Sequence, residues 1–236
     1  MIRFISFALV ALVFGFGGAW LFSATGLGDK NTEEWLLEHP EILPKMAERY
    51  QQNEAARRVA SVGAEATRVF PGAVLGNPNG KRTLVEFTDY GCTFCRQSIP
   101  DVKALIAADP ELRVVIREWP IFQGSDVAAR MALAAAKQGK YAEFHDLMFA
   151  HGPPSAETIA LAARGAGLDM EAARAYGASP EVELELRNNQ ELARQLGFEG
   201  TPSWVAGNEA FSGAVGRQRL ADAIASGSGA KADGGA

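Results

Sequence analysis

Cys92 and Cys95 are the only cysteines of the 236-residue chain, and they lie three positions apart in Gly91-Cys92-Thr93-Phe94-Cys95. The apolar segment 84–87 precedes them, which predicts a strand that leads into a helix beginning at Cys92. At a helix N-terminus, backbone N–H groups and the helix dipole favour the thiolate over the thiol. Cys95, one turn later, faces the same side. The spacing therefore indicates a redox pair that exchanges electrons with an external partner.

Two other roles for the pair are weaker. A structural zinc site needs further ligands, and His39, His145 and His151 show no ligand spacing. A structural disulfide across three residues closes too short a loop to constrain the unfolded chain much. We therefore expect neither a metal nor a cofactor.

Composition limits the other classes of function. The chain is 47% apolar, which is enough for a sizeable core, and its formal net charge is −5. No basic patch is visible, so nucleic acid is not an expected partner.

The N-terminus indicates export. Arg3 is followed by an apolar run from Phe4 to Phe22, which we interpret as a signal peptide cut after Ala19 or Ala24, or as a signal anchor. Both interpretations of residues 1–24 place the rest of the chain in an oxidising compartment, the periplasm.

Residues 25–69 are predicted to be helical. The helix is expected to start at Asn31, capped together with Glu34, and to be broken near Pro40 and Pro44. An apolar stripe follows one face of this segment: Leu36, Leu43, Met46 and Tyr50. The segment is either an arm packed on its own domain, which periodicity alone favours slightly, or an oligomerisation stalk.

The remaining pattern predicts an α/β fold. A strand over 83–87, the redox helix over 92–107 and a buried strand over 112–119 come first. They are followed by helices over 125–138 and 141–149 and by helices capped at Ser155 and Ser179, the second ending at Gly197. A hairpin around Gly207-Asn208 and a helix over 217–225 complete the order. This is a thioredoxin fold with a helical insertion at about 124–178, followed by a disordered tail, 226–236.

Three motifs carry a resemblance to the DsbA family of bacterial envelope thiol–disulfide oxidoreductases across residues 70–225. They are the stretch 85–92 with the redox pair, the stretch 140–146, and Gly200-Thr201-Pro202. The stretch 35–43 looks like the helical prefix of the ScsC-like branch, whose members can oligomerise through that region.

The resemblance implies roles for single residues. Cys92 matches the nucleophile and Cys95 the buried resolving cysteine. Pro202 matches a cis proline, which turns the backbone at Thr201 toward the sulfurs so that a substrate chain can pair there as an added strand. Without the resemblance, an ordinary trans turn at Thr201-Pro202 stays open. Thr93 and Phe94, between the cysteines, are expected to contact substrate.

Glu86 matches a buried carboxylate that relays protons to the resolving cysteine. The residues alone would instead make Glu86 part of the solvated face of an edge strand. His145 lies where the family has a histidine on a helix, and a satisfied core histidine is the better interpretation.

Two departures favour isomerase or reductase work over pure oxidation. Strongly oxidising relatives carry a histidine between the cysteines, whereas this chain has Thr93-Phe94. The pKa of Cys92 should therefore be lowered less. Thr201 before the proline also looks more like the isomerase and reductase branches.

The resulting hypothesis is a periplasmic enzyme that acts on protein disulfides. Its expected partners are unfolded or disulfide-bearing envelope proteins, a membrane redox partner that recycles the pair, and further copies of itself in a dimer or trimer. The alternatives are a dithiol oxidase of the DsbA type, a non-catalytic holdase and a copper-binding module.

Overall fold

The computed structural model describes the backbone of residues 12–21 and 27–229. Its helices, in chain order, are α1 (12–21), α2 (Leu27–Glu38), α3 (Ile42–Val62), α4 (Thr93–Ala108), α5 (Ser125–Lys137), α6 (Tyr141–His151), α7 (Ala156–Gly165), α8 (Met170–Gly177), α9 (Pro180–Leu196) and α10 (Arg217–Gly229). Its strands are β1 (Val74–Gly76), β2 (Arg82–Thr88), β3 (Leu112–Glu118), β4 (Ser203–Ala206) and β5 (Glu209–Ser212).

Two compact units divide the chain between Gln51 and Gln52, within α3. In the first unit, α2 begins at Leu27, so the predicted helix start at Asn31 is wrong. Pro40 lies between α2 and α3, as its helix-breaking character predicts, and Pro44 lies in the first turn of α3, where a missing N–H is tolerated.

The predicted export segment lies largely outside the described residues, which exclude 1–11 and 22–26 and therefore the cleavage position after Ala24. Across the helices that the structure describes, none is long and apolar enough to cross a membrane. At the other end, α10 continues to Gly229, past its predicted end at Ala225, and residues 230–236 lie outside the described part.

A five-stranded sheet forms the centre of the second unit, in the order β1-β3-β2-β4-β5. Strand β2 pairs in parallel with β3, from Arg82 opposite Leu112 to Thr88 opposite Glu118. On its other side, β2 pairs antiparallel with β4. β2 is therefore the central strand, and its backbone groups are satisfied from both sides.

Both faces of the sheet are covered, which explains why β2 and β3 are almost continuously buried. Alternate residues, such as Leu84 and Val114, join a core with α4, α10 and the inserted helices. The residues between them, such as Val85 and Val115, pack with Val59 near the end of α3 and with the last turns of α9.

The inserted helices begin and end where the local chemistry predicts. Ser155 and Thr158 form a reciprocal capping box on α7. Ser179 caps α9 ahead of Pro180, and Gly197 ends that helix in the left-handed conformation, with φ of 74°. These three predictions are confirmed, because caps and glycine stops act over a few neighbouring residues.

Candidate active site

The two cysteines lie where β2 gives way to α4. Cys92 is the N-cap of α4, and its sulfur accepts a hydrogen bond from the Cys95 N–H at 3.4 Å. Both are free thiols. Cys92 is 3% exposed and Cys95 is 0% exposed, so both residues are buried and only Cys92 keeps a small accessible area.

The surroundings shift the pKa values of the two thiols in opposite directions. Groups around the sulfur lower the pKa of Cys92 to about 5, against the opposing effect of burial. They are the Cys95 thiol, the nearby Thr201 side chain, and the backbone N–H groups of Cys95 and Phe94. Burial raises the pKa of Cys95, and the charge of Glu86 adds to the rise. The predicted pKa below that of a free thiol at Cys92 is thus confirmed, although its largest source is the neighbouring thiol rather than the helix terminus.

The peptide bond between Thr201 and Pro202 is cis, as the resemblance implied. The Cys92 thiol donates to the Thr201 carbonyl oxygen at 3.1 Å. Thr201 is 9% exposed, and its buried hydroxyl oxygen has no hydrogen-bond partner. The loop before β4 therefore contacts the Cys92 sulfur directly.

Glu86 is fully buried, so its predicted place on a solvated edge strand is wrong. The reason is that β2 is the central strand, a property of the sheet order that the local pattern does not carry. Neither carboxylate oxygen has a hydrogen-bond partner of standard geometry. Burial raises the pKa of Glu86 to about 8, the Thr88 hydroxyl opposes this rise, and the charge of Cys92 adds to it.

Asp89 ties the redox turn to the loop that follows β3, and sequence reasoning missed it. One carboxylate oxygen accepts from the Gly91 N–H at 2.6 Å and from the Ser125 hydroxyl. The other accepts from the N–H groups of Ile121, at 2.6 Å, and Phe122, at 2.9 Å. A carboxylate two residues after a strand and three before the first cysteine was the available signal.

A second buried cluster lies beside the turn. The hydroxyls of Tyr90 and Tyr141 donate to the same oxygen of Glu118, at 2.9 and 2.6 Å. His145 is fully buried, with its Nδ1 3.2 Å from the Tyr90 hydroxyl and its Nε2 unpartnered. Burial lowers the pKa of His145 to about 4, so it is neutral at pH 7. The missed signal for Glu118 was a carboxylate at the end of a strand that was predicted to be buried.

The rim of the site is apolar. Thr93 is exposed, Phe94 is 59% exposed, and the side chains of Ile121 and Phe122 are 43% and 48% exposed. Within residues 12–21 and 27–229, no three His, Cys, Asp or Glu side chains are grouped so that they could hold a metal ion. The arrangement offers a stabilised thiolate, a shielded thiol, a buried acid and an apolar rim.

Residues 83–225 match the family model of the DSBA-like thioredoxin domain, and the chain belongs to this family. A thioredoxin-like oxidoreductase from Silicibacter pomeroyi DSS-3 is 41% identical, with a TM-score of 0.66 over 72% of this chain and 98% of that one. The thiol-disulfide exchange protein alpha-DsbA2 from Wolbachia pipientis is 26% identical, with a TM-score of 0.69 over 75% and 97%.

The catalytic domain of Proteus mirabilis ScsC shares the fold, at 24% identity and a TM-score of 0.65 over 74% of this chain and 98% of that one. A curated relative, Na(+)/H(+) antiporter NhaA 1 from Salinispora arenicola, is 29% identical over 149 residues. That match covers 61% of this chain but only 23% of the relative.

We predict that the thiol of Cys95 accounts for most of the low pKa of Cys92. Cys95→Ala removes the donor and should raise the pKa of Cys92 toward 9, its ordinary value. Cys95→Ser keeps a hydroxyl donor and should raise it less. The measurement is the rate of iodoacetamide alkylation against pH. Equal midpoints in the two variants would contradict the assignment.

We also predict that Glu86 makes the stability depend on pH. Its pKa is about 8 in the folded protein against an ordinary 4.5, so the unfolded chain releases this proton first as pH rises. The contribution of Glu86 to the free energy of unfolding should therefore fall between these values by at most about 1.4 kcal/mol per pH unit. Glu86→Gln, which cannot titrate, should gain stability over wild type from pH 4.5 to 8.

Urea unfolding of the reduced protein at pH 4, 6 and 8 measures this gain. Glu143→Gln, an exposed change on α6, is the matched control. A gain for Glu86→Gln that is the same at all three pH values would show that Glu86 does not hold its proton in the folded state.

Proposed function

We propose that this protein is a thiol–disulfide oxidoreductase that acts on protein disulfides through Cys92 and Cys95. The observation that carries the proposal is that the two cysteines differ in exposure and in the direction of their pKa shifts. Cys92 keeps a small accessible area and has a lowered pKa, and Cys95 is fully buried and has a raised pKa. A purely structural pair would need no such difference.

The reaction follows from this difference. The Cys92 thiolate attacks one sulfur of a substrate disulfide, forms a mixed disulfide and releases one substrate thiolate. Cys95, once deprotonated, attacks the Cys92 sulfur, which closes the internal disulfide and releases the second substrate thiolate. Two electrons pass from the cysteine pair to the substrate, and the reverse sequence oxidises a substrate dithiol.

Glu86 is suited to move the proton of Cys95. An ionised Glu86 can accept that proton before Cys95 attacks, and a protonated Glu86 can return it when the internal disulfide opens. A pKa of about 8 leaves both forms within reach near neutral pH. The charge of Glu86 also acts on Cys95, which supports their proximity.

The substrate is expected to lie as an extended chain beside Thr201. The Thr201 carbonyl already contacts the Cys92 sulfur, so a chain paired at this residue would bring its disulfide to the nucleophile. Thr93 and the largely exposed ring of Phe94 would contact side chains next to the substrate cysteine.

The preferred direction is isomerisation or reduction, and oxidation of the DsbA type is the alternative. The missing histidine between the cysteines and the presence of Thr201 favour the first. The pKa of about 5 at Cys92 favours oxidation, because a stabilised thiolate makes the disulfide more easily reduced. The reduction potential of the pair decides between them.

The compartment is expected to be the periplasm, where a redox pair can work on exported proteins. There, a membrane redox partner would recycle the pair. The apolar N-terminal run supports export.

We predict that Cys92→Ser abolishes insulin reduction and the refolding of scrambled ribonuclease, because the first bond to substrate cannot form. Cys95→Ser should trap mixed disulfides on Cys92 instead. The assays use dithiothreitol or glutathione to recycle the protein. Activity that survives Cys92→Ser would favour the holdase, and stoichiometric copper binding with no turnover would favour the copper-binding module.

We further propose that the N-terminal unit joins copies of the chain into a dimer or trimer. Its helices leave an apolar surface uncovered: Leu37 is 75% exposed, Leu43 70%, Met46 51% and Tyr50 66%. A cavity of about 580 Å³ between α2 and the start of α3 is lined by several of these side chains. Patches of this kind mark association sites more often than free surface.

The corresponding prediction is that Leu43→Lys with Met46→Lys lowers the molecular mass measured by light scattering to that of a monomer. Two charges would be desolvated in an apolar interface. Glu48→Lys, an exposed change on the same helix, is the control and should leave the mass unchanged. A wild-type monomer would overturn the proposal.

A further inference from the structure

Glu118 is a buried acid that the proposed reaction does not use. It is the last residue of β3 and lies opposite Thr88 of β2 in the parallel ladder. Because side chains alternate along a strand, Glu118 points to the same face of the sheet as Thr88 and Glu86. Glu118 and Glu86 are both 0% exposed. Two carboxyl groups thus share one buried face next to the redox turn.

Within the part of the chain that the structure describes, the hydrogen bonds to the Glu118 side chain come from the redox turn and from α6, and neither donor is a cation. Tyr90 of the redox turn and Tyr141 of α6 donate to one carboxylate oxygen, and the other oxygen has no partner. His145 of α6 is neutral and contacts the Tyr90 hydroxyl. The side chain of Asn189 on α9 donates to the backbone carbonyl of Glu118. The adjacent cation, Arg117, bonds to Glu185 and Asn189 from the opposite face.

Electrostatic coupling runs from this cluster to the cysteines. Burial raises the pKa of Glu118 to about 8, the two tyrosine hydroxyls oppose the rise, and the charges of Asp89 and Glu86 add to it. Glu86 in turn interacts with the charge of Cys92 and acts on Cys95. The charge of Glu86 therefore acts both on the cysteine pair and on Glu118, and the charge of Asp89 adds to the effect on Glu118.

We propose that Glu118 is a second acid of the redox site, which shares a coupled titration with Glu86 and sets how readily Glu86 ionises. Two like charges on one dry face disfavour each other, so the protons leave in two steps that belong to the pair. Glu118 acts only through Glu86 and is a positioning residue. Tyr90 connects the pair to the turn that carries Cys92.

The coupling should make the ionisation of Glu86 depend on whether the cysteine pair is reduced or oxidised. When a protein disulfide oxidises the reduced site, the cysteine pair gives up two electrons and the Cys95 proton, and the Cys92 thiolate charge disappears into the new S–S bond. The substrate disulfide takes up both electrons and leaves as one thiolate and one thiol, which carries the former Cys95 proton. Because that charge raises the pKa of Glu86, closing the disulfide should make Glu86 release its proton more readily. This part of the inference rests on the proposed function.

The direct test is a pH titration of the reduced protein with ¹³C-labelled glutamate carboxyl groups, followed by NMR. In wild type, two resonances should titrate well above the other glutamates. Glu86→Gln and Glu118→Gln should each remove one of them and move the survivor to lower pH, because a neighbouring negative charge is gone. Glu143→Gln on the exposed face of α6 should leave both in place. If the remaining resonance titrates at the same pH as in wild type, the two carboxyl groups are not coupled and the proposal is wrong.

A second measurement separates this inference from the proposed function. The reduction potential against pH, from pH 6 to 9, should change slope in Glu118→Gln but not in Glu143→Gln, and an unchanged slope would contradict a role in the redox site. If the two carboxyl groups titrate as a coupled pair in a protein that does not reduce insulin, the proposed function is wrong and the coupling of Glu86 with Glu118 still holds.

If Glu118→Gln does not fold, Tyr141→Phe replaces it. This change removes the nearer donor, at 2.6 Å, and leaves both carboxyl groups present. Loss of a donor to the charged form should raise the pKa of Glu118 further, seen as a shift of one resonance to higher pH. No shift in that resonance would contradict the assignment of Glu118.

Discussion

The parallel pairing of β2 with β3 is the constraint on which the site depends. Parallel neighbours end at the same edge of a sheet, so the turn after β2 and the loop after β3 are brought together. Asp89 then joins them through four hydrogen bonds, to Gly91, Ser125, Ile121 and Phe122. The same register places Glu86 and Glu118 on one buried face. A change of the β2–β3 register by one residue would turn one of the two acids to the opposite face and separate the pair.

Desolvation governs the chemistry of this face. It is the largest contribution to the raised pKa values of Glu86, Glu118 and Cys95 and to the lowered pKa of His145. Cys92 is the exception, because donors around its sulfur outweigh the effect of burial. The site thus places one stabilised anion next to groups that prefer to be neutral. In the proposed reaction, this difference sets the direction of attack, because Cys92 reacts first and Cys95 resolves.

Errors of the sequence-based prediction share one cause. The residues alone placed Glu86 on a solvated edge strand, although the family resemblance implied the burial that is observed, and the start of α2 was placed at Asn31 rather than Leu27. In each case a local sequence pattern was interpreted without knowledge of the elements that pack beside it. A polar residue in an apolar strand can face solvent or a dry interior, and only the number of strands beside it decides which. The absence of any cap signal near Leu27 likewise left a polar residue further along as the apparent start.

The sequence by itself determined the redox pair, the helix that begins at Cys92, the caps at Ser155 and Ser179, the stop at Gly197 and the hairpin at Gly207-Asn208. These features rest on interactions within a few residues, and local chemistry is sufficient for them. Only the tertiary structure decided that β2 is central, that Thr201 contacts the Cys92 sulfur across 109 positions of the chain, and that Glu118 shares a face with Glu86. Those relations arise from strand order and chain crossing, because burial depends on residues far apart in sequence. Burial in turn raises the pKa values of Glu86, Glu118 and Cys95.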